Sequence, residues 1–436
     1  MRRCALAIAA LTALLLPAPA FAHTVLDRAV PATQSRIEQP PTGVRLTFSE
    51  PLTITTSAVR VLASDGTVVS GDATLSDDRL VVTVPVSGAR IGDAYTVRWR
   101  VSGPDGHSPS GVFTFGVGIT APEPTDAVGS SGTTTKDDIA RWALFGALAM
   151  LIGSLVVRLV VLRGAVPGRL ERRFHLAGVV GAFLVVDIGI LAFVLRASNA
   201  LQLPVVDLLY GDLQPFAEQT RFGIAFLAMT LGFGVVAALL LVAWVLDAVV
   251  LRWAALVGSI GLASGLSLSG HQASEPNASW MSQLADWVHL VSACVWVGGL
   301  ATVALLVWPA EPAVRRRAFL GFARLAVVLV ALIVVAGAYL AILRLPELTD
   351  LWTTRYGQLL LMKLVLVALA LGWGAVHHFV VRPRLGDGGD PNVGSSLVGE
   401  TIVAFSVLLA AAILTNVAPP PPADTASAPA SASTDP

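Results

Sequence analysis

Residues 284–308, LADWVHLVSACVWVGGLATVALLVW, decide the fold. The stretch is predominantly apolar over 25 residues, and at about 1.5 Å per residue a helix of that length crosses the roughly 30 Å hydrocarbon core of a bilayer. Seven more runs of the same kind lie near 139–162, 174–195, 221–246, 250–270, 317–343, 356–381 and 397–417. Composition agrees: of 436 residues, 55% are hydrophobic and 13% charged, about half the charge of a soluble domain. A soluble multi-domain enzyme is excluded. So is a nucleic-acid binder, because 29 basic and 29 acidic residues cancel and no basic block stands clear of the apolar runs.

The charge is unevenly placed. Residues 23–138 are polar and turn-rich, so water surrounds the first third of the chain and lipid the rest. Met1–Ala22 has a basic start, an apolar stretch of about twelve residues and the small-residue end Ala20-Phe21-Ala22, the pattern of a secretory signal rather than a span. Cleavage after Ala22 leaves His23 first, with a free α-amine beside its imidazole. It also removes Cys4, leaving Cys294 alone, so neither an internal disulfide nor a Cys-x-x-Cys clip is expected. Arginine placement orients the bundle: ten fall in the loops on one side and three on the other, which puts the N-terminal domain outside the cytoplasmic membrane. Residues 119–138 read as a flexible Pro/Gly/Ser/Thr linker, 139–417 as the membrane domain, and 418–436 as a disordered extracytoplasmic tail.

Between residues 44 and 117 the hydrophobic period is two. Val44-Arg45-Leu46-Thr47-Phe48-Ser49 alternates, as does Tyr95 to Val101, and Val59–Val61, Leu80–Val84 and Gly111–Val117 read as further strands. Turn chemistry separates them, as at Ser64-Asp65-Gly66 and Gly103-Pro104-Asp105-Gly106. Six or seven short strands in this space predict an antiparallel β-sandwich or Greek-key barrel, one face buried and one wet. The fold class is therefore a β domain, residues 23–118, followed by an eight-helix transmembrane bundle.

The β domain holds two histidines, His23 and His107, and His107 follows Asp105 on a turn. Imidazole, carboxylate and a terminal amine together suit Cu(II), which favours a tetragonal nitrogen-rich site. The residues by themselves are read more simply as two solvent-exposed histidines. Beyond them, Leu46-Thr47-Phe48-Ser49-Glu50-Pro51, Tyr95-Thr96-Val97-Arg98-Trp99, Ser102-Gly103-Pro104-Asp105-Gly106-His107 and Gly111-Val112-Phe113-Thr114-Phe115 resemble the CopC family of periplasmic copper-binding proteins over essentially all of 23–118. The resemblance implies a Cu(II) site at His23, Asp105 and His107. No methionine falls between His23 and Lys136, so the Met-rich Cu(I) site of some family members is not expected.

In the membrane domain, ionisable side chains at depth cost several kcal/mol unless paired, so each is a candidate for function. Asp286 and His289 are three apart and share a helix face. His271, at the outer end of the preceding span, could meet them to complete a metal site. Cys294 is either a soft Cu(I) ligand or packing. Arg324 and Glu400 are expected to form an interhelical ion pair, and Lys363 needs a partner, for which Asp187 is a candidate. Ser269-Gly270-His271-Gln272-Ala273, Asp286-Trp287-Val288-His289, Val295 to Leu300, Arg355 to Lys363 and Glu400 resemble the CopD family of copper-transport membrane proteins, strongly from about 250 to 417 and thinly in the first three spans.

The resemblances imply copper acquisition across the membrane, with copper ion and lipid bilayer as partners and an extracytoplasmic copper donor or reductase as a further one. Two alternatives stand beside it: copper resistance by extracytoplasmic sequestration, and a membrane redox protein with His271, His289 and His377 among its haem ligands. A copper oxidase is less favoured, because eight spans do not serve an enzyme attacking extracellular substrates. No phosphate loop, HExxH or nucleophile elbow is present to suggest other catalysis. One extra residue ahead of His23 is expected to weaken Cu(II) binding by residues 23–118 by orders of magnitude. Equal affinity with the amine blocked would refute the N-terminal chelate.

Overall fold

The computed structural model describes residues 26–54, 58–101, 110–123, 135–201, 205–210, 221–268, 279–386, 393–415, 417 and 420. The chain divides into two compact units, one holding the β domain and one the long helices.

Among the described residues the β domain has eight strands: β1 (Leu26–Val30), β2 (Ser35–Ile37), β3 (Gly43–Phe48), β4 (Val59–Leu62), β5 (Thr74–Leu75), β6 (Val81–Pro85), β7 (Asp93–Arg100) and β8 (Ser110–Val117). They form two four-stranded sheets, ordered β1-β3-β6-β5 and β2-β8-β7-β4. Alternation places Val44, Leu46 and Phe48 of β3 inside while Arg45 stays exposed. Phe48 meets Trp99 of the other sheet edge-on, ring centroids 5.3 Å apart, and so closes the sandwich. The β7–β8 register sets Trp99 opposite Gly111, where a Cβ would come within 2.5 Å of the indole. Only glycine leaves room for that ring. Tyr95 stacks on Phe115 at 5.3 Å, its hydroxyl accepts from the Arg90 N–H at 2.6 Å, and burial pushes its phenol pKa up.

Two features differ from the sequence expectation. The extra strands are short (β5 has two residues), too brief for an alternation to show. In addition, β2 runs parallel to β8, whereas the other pairings are antiparallel. β8 is buried along its whole length instead of keeping one wet face, because the residues after it fold back over Thr114, which donates to the Pro122 carbonyl, and over Gly116, which lies against the Ile119 backbone.

Among the described residues, the helical unit contains eight helices long and apolar enough to cross a membrane: α1 (Thr135–Val156), α2 (Gly168–Leu201), α3 (Arg221–Leu246), α4 (Val249–Leu262), α5 (Trp280–Ala301), α6 (Pro312–Arg344), α7 (Arg355–Val376) and α8 (Gly394–Leu414). Helices α1, α5 and α7 each end in a π-helical segment, Val157–Val161, Thr302–Val307 and His377–Val381. The centre is α1 against α5. In both, 72% of the apolar window is buried, against 17% in α6 and 11% in α7. Glycines permit the approach: a Cβ on Gly298 would collide with the Ala149 carbonyl, one on Gly153 with the Gly298 backbone, and one on Gly299 with the Phe322 ring. Lipid gives no hydrophobic drive to helix association, so close packing of small residues supplies it.

Beyond the C-terminal end of α1, charges from several helices converge. Buried Arg252, in the first turn of α4, donates to Glu171 of α2. It also donates to Asp247 Oδ1 at 2.6 Å and to His175 Nε2 at 3.0 Å. Arg158 donates to the other Glu171 oxygen at 2.7 Å. The connection between Leu246 of α3 and Val249 of α4 is so tight that Arg252 is drawn inside. Gly298→Ala forces α1 and α5 apart and is expected to destabilise the helical unit by about 1–3 kcal/mol or more, read as a lower unfolding temperature in detergent.

Candidate metal site

The start of α5 is set by a reciprocal cap. The Ser282 N–H donates to Ser279 Oγ at 3.2 Å and the Ser279 N–H to Ser282 Oγ at 3.0 Å. Trp287 then donates its indole N–H to the Ile260 carbonyl at 2.9 Å, tying the first turns of α5 to α4. With helix start and azimuth fixed, Asp286 and His289 both line one cavity of about 260 Å³.

That cavity is walled by the N-terminal parts of α1, α3, α5 and α7 and the C-terminal parts of α2, α6 and α8. The long helices therefore alternate in direction, and the cavity belongs to one end of the unit. The Arg252 cluster belongs to the other.

His289 is held in one tautomer. Its Nδ1 lies 3.0 Å from the Ile333 carbonyl of α6, and a carbonyl only accepts, so Nδ1 carries the hydrogen and Nε2 keeps the lone pair. A metal-binding histidine needs this arrangement, because the second-shell carbonyl orients the ring and raises the basicity of the free nitrogen. Gly337, one turn beyond Ile333, makes the approach possible: a Cβ there would stand 2.9 Å from His289 Cε1 and 3.2 Å from Nδ1. The sequence offered Gly337 only as a glycine among small residues in a span.

Four basic side chains also line the cavity, Arg141, Arg196, Arg344 and Lys363, with Asp137 and Asp286 as the acids. Lys363 of α7 thus shares the cavity with Arg344 of α6 and Asp286 of α5. The expected Lys363–Asp187 pairing is not formed, since Asp187 is exposed on α2. Nor does Arg324 pair with Glu400. Arg324 is exposed on α6, and the Glu400 carboxylate instead meets His377 Nδ1 at 2.7 Å. Both misassignments share a cause: hydropathy gives depth along a span but not the direction a side chain faces. Cys294 is fully buried and is not among the cavity-lining residues, which fits packing.

His23, Asp105, His107 and His271 lie outside the described residues. Among the described residues, no three His, Cys, Asp or Glu side chains converge as a metal cluster, so Asp286 and His289 supply two candidate ligands.

A two-sheet β domain followed by eight candidate spans with a His/Asp-lined cavity defines a multi-pass membrane protein with an appended β module. Residues 26–118 match the family model for the CopC domain. Residues 138–280 match that for the copper resistance protein D-like N-terminal domain, and 316–414 that for copper resistance protein D. The chain belongs to this copper transport and resistance family as a CopC/CopD fusion. It is 31% identical over 279 residues to copper resistance protein D of Pseudomonas syringae pv. tomato, covering 56% of this chain and 81% of the relative. It is 28% identical over 440 aligned residues to copper transport protein CutJ of Bacillus subtilis (strain 168), covering 93% of this chain and 76% of the relative. A crystal structure of CopC from Methylosinus trichosporium OB3b aligns at 28% identity, covering 22% of this chain and 93% of that one, with a TM-score of 0.21. The first three spans, where the likeness read from the sequence is thin, fall within the match over 138–280.

Gly337→Ala displaces the His289 ring from the Ile333 carbonyl. Loss of such a second-shell partner costs about 10–100-fold in metal affinity, so in a full chain whose N-terminal site is disabled by His107→Ala, copper binding at the cavity is expected to weaken by that factor while the melting temperature changes little.

Proposed function

We propose that this protein acquires copper across the cytoplasmic membrane. Residues 1–22 direct export and are removed, and His23, Asp105 and His107 capture Cu(II) outside. The linker 119–138 then presents the metal to Asp286, His289 and His271. About 20 flexible residues give an effective concentration near millimolar, so no diffusing intermediary is needed. An extracytoplasmic donor or reductase would act before this hand-over, and the reading assigns the chain no catalytic chemistry.

The observation that carries the reading is His289, with its tautomer set by Ile333, in one cavity with Asp286. Orientation is supported by arginine. Arg163, Arg169, Arg172, Arg173, Arg252, Arg315, Arg316, Arg317, Arg382 and Arg384 all lie toward the end away from the cavity, so the positive-inside rule turns the cavity outward. The basic neighbours also fit. Lys363 and Arg344 compete with an incoming cation for the Asp286 charge, which keeps metal binding there weak enough for release. The relatives' names speak for copper transport in one case and copper resistance in the other, and sequestration is the second reading.

Cellular copper separates them. A deletion strain is expected to accumulate less copper, and a chain carrying Asp286→Asn and His289→Ala to restore little of it. Unchanged or raised accumulation in the deletion strain would leave sequestration standing instead.

A further inference from the structure

At the end of the helical unit opposite the cavity, a second polar cluster closes on itself. His377 opens the π segment after α7, and Ser396 and Glu400 lie one turn apart near the start of α8. His377 is 6% exposed and Glu400 4% exposed. His377 Nδ1 stands 2.7 Å from Glu400 Oε2, and Nε2 stands 2.9 Å from Ser396 Oγ. Trp373 donates its indole N–H to the same Oγ at 3.0 Å.

The donors fix the proton arrangement. Indole nitrogen only donates, so Ser396 accepts from Trp373 and is free to turn its own hydrogen toward Nε2. With a neutral ring, Nε2 accepts from Ser396 and Nδ1–H donates to the Glu400 carboxylate. The cluster then carries one negative charge in a buried site. An added proton settles on Nε2, the hydroxyl hydrogen turns away, and the imidazolium donates to both Ser396 and Glu400. The net charge falls to zero. One proton enters or leaves with each hydrogen bond to the ring re-formed and no heavy atom displaced, as a proton relay at membrane depth requires.

Other ionisable groups on the packed elements are engaged elsewhere or exposed. From α6, Phe319 meets the His377 ring edge-on at 5.9 Å. Arg315, one turn earlier, donates to the Trp308 carbonyl at 2.6 Å, and Arg316, Arg317 and Arg324 are exposed. His378 meets Arg382 at 3.2 Å, and Arg384 is exposed. Glu400 is the one charged residue of α8, and the π segment Thr302–Val307 has none. The cluster also sits on a π segment, a widened turn common at functional sites in helices.

We propose that His377 and Glu400, at the end away from the metal cavity, form the proton-exchange site of the copper transport cycle, each cycle taking up one proton from one side of the membrane and releasing it to the other. The inference rests on the transport reading above and adds the coupling that a chain without a phosphate loop would use.

Two measurements on the full chain test it. In proteoliposomes reporting luminal copper and luminal pH, an imposed pH gradient is expected to change wild-type copper flux several-fold. Glu400→Gln, close in size and still able to accept from Nδ1–H, should lose that response while retaining copper binding at the cavity, and Glu400→Asp should recover part of it. A Glu400→Gln chain with the wild-type gradient response would overturn the proposal. Proton titration of copper-free protein in detergent should show one proton fewer per chain in Glu400→Gln than in wild type. If wild-type vesicles move no copper, the transport reading fails. The titration still decides the proton site, since identical wild-type and variant curves would overturn it.

Discussion

The contact between the backbones of Gly153 on α1 and Gly298 on α5 is the constraint on which the helical unit depends. No side chain intervenes, so α1 and α5 lie closer than any Leu- or Val-lined pair could, and they become the two most buried spans. Gly299, next in sequence, turns the same economy of volume toward Phe322 of α6. With α5 fixed between two neighbours, its first turns project Asp286 and His289 into the cavity. Its last residues lead into a π segment at the far end. The Ser279–Ser282 cap completes the constraint by setting where the helix begins.

Charge is then arranged by end. One end gathers Asp286, His289, Lys363 and Arg344 around a cavity. The other holds two closed networks, Arg252 with Glu171, Asp247 and His175, and His377 with Glu400 and Ser396. Each network joins residues from different helices, because a charge at membrane depth is tolerable only when a neighbouring span supplies its partner. Such partners specify which helices adjoin more strongly than apolar contacts do, since in lipid one apolar face is much like another. The proposed copper path and the proposed proton site thus sit at opposite ends of one glycine-fixed scaffold.

Much of this was readable from the chain. Period-two alternation in Val44–Phe48 and Tyr95–Val101 requires strands buried on one side, and those strands form. The i, i+3 spacing of Asp286 and His289 requires a shared helix face, and both line the cavity. The failures are equally physical. Arg324 and Glu400 have complementary charge and comparable depth, yet Arg324 is exposed and Glu400 is taken by His377. Lys363 and Asp187 fail in the same way. Azimuth around a helix in lipid is set by packing against neighbours, and a span that is hydrophobic all round carries little record of it. Short strands such as β5 and the parallel β2–β8 pairing escape notice because two or three residues cannot establish a period.

The sequence by itself determined the division into a water-facing β domain and a lipid-facing bundle, the number of spans and the small set of ionisable residues that lipid makes expensive. These follow from local hydrophobicity, which each residue carries whatever its surroundings. Only the tertiary structure decided that His289 is fixed by the Ile333 carbonyl over Gly337, that Trp287 is tied to the Ile260 carbonyl, and that Glu400 belongs to His377. Those pairings depend on distances of a few ångströms between helices far apart in sequence, and such distances exist only once the glycine-mediated packing has brought the helices together.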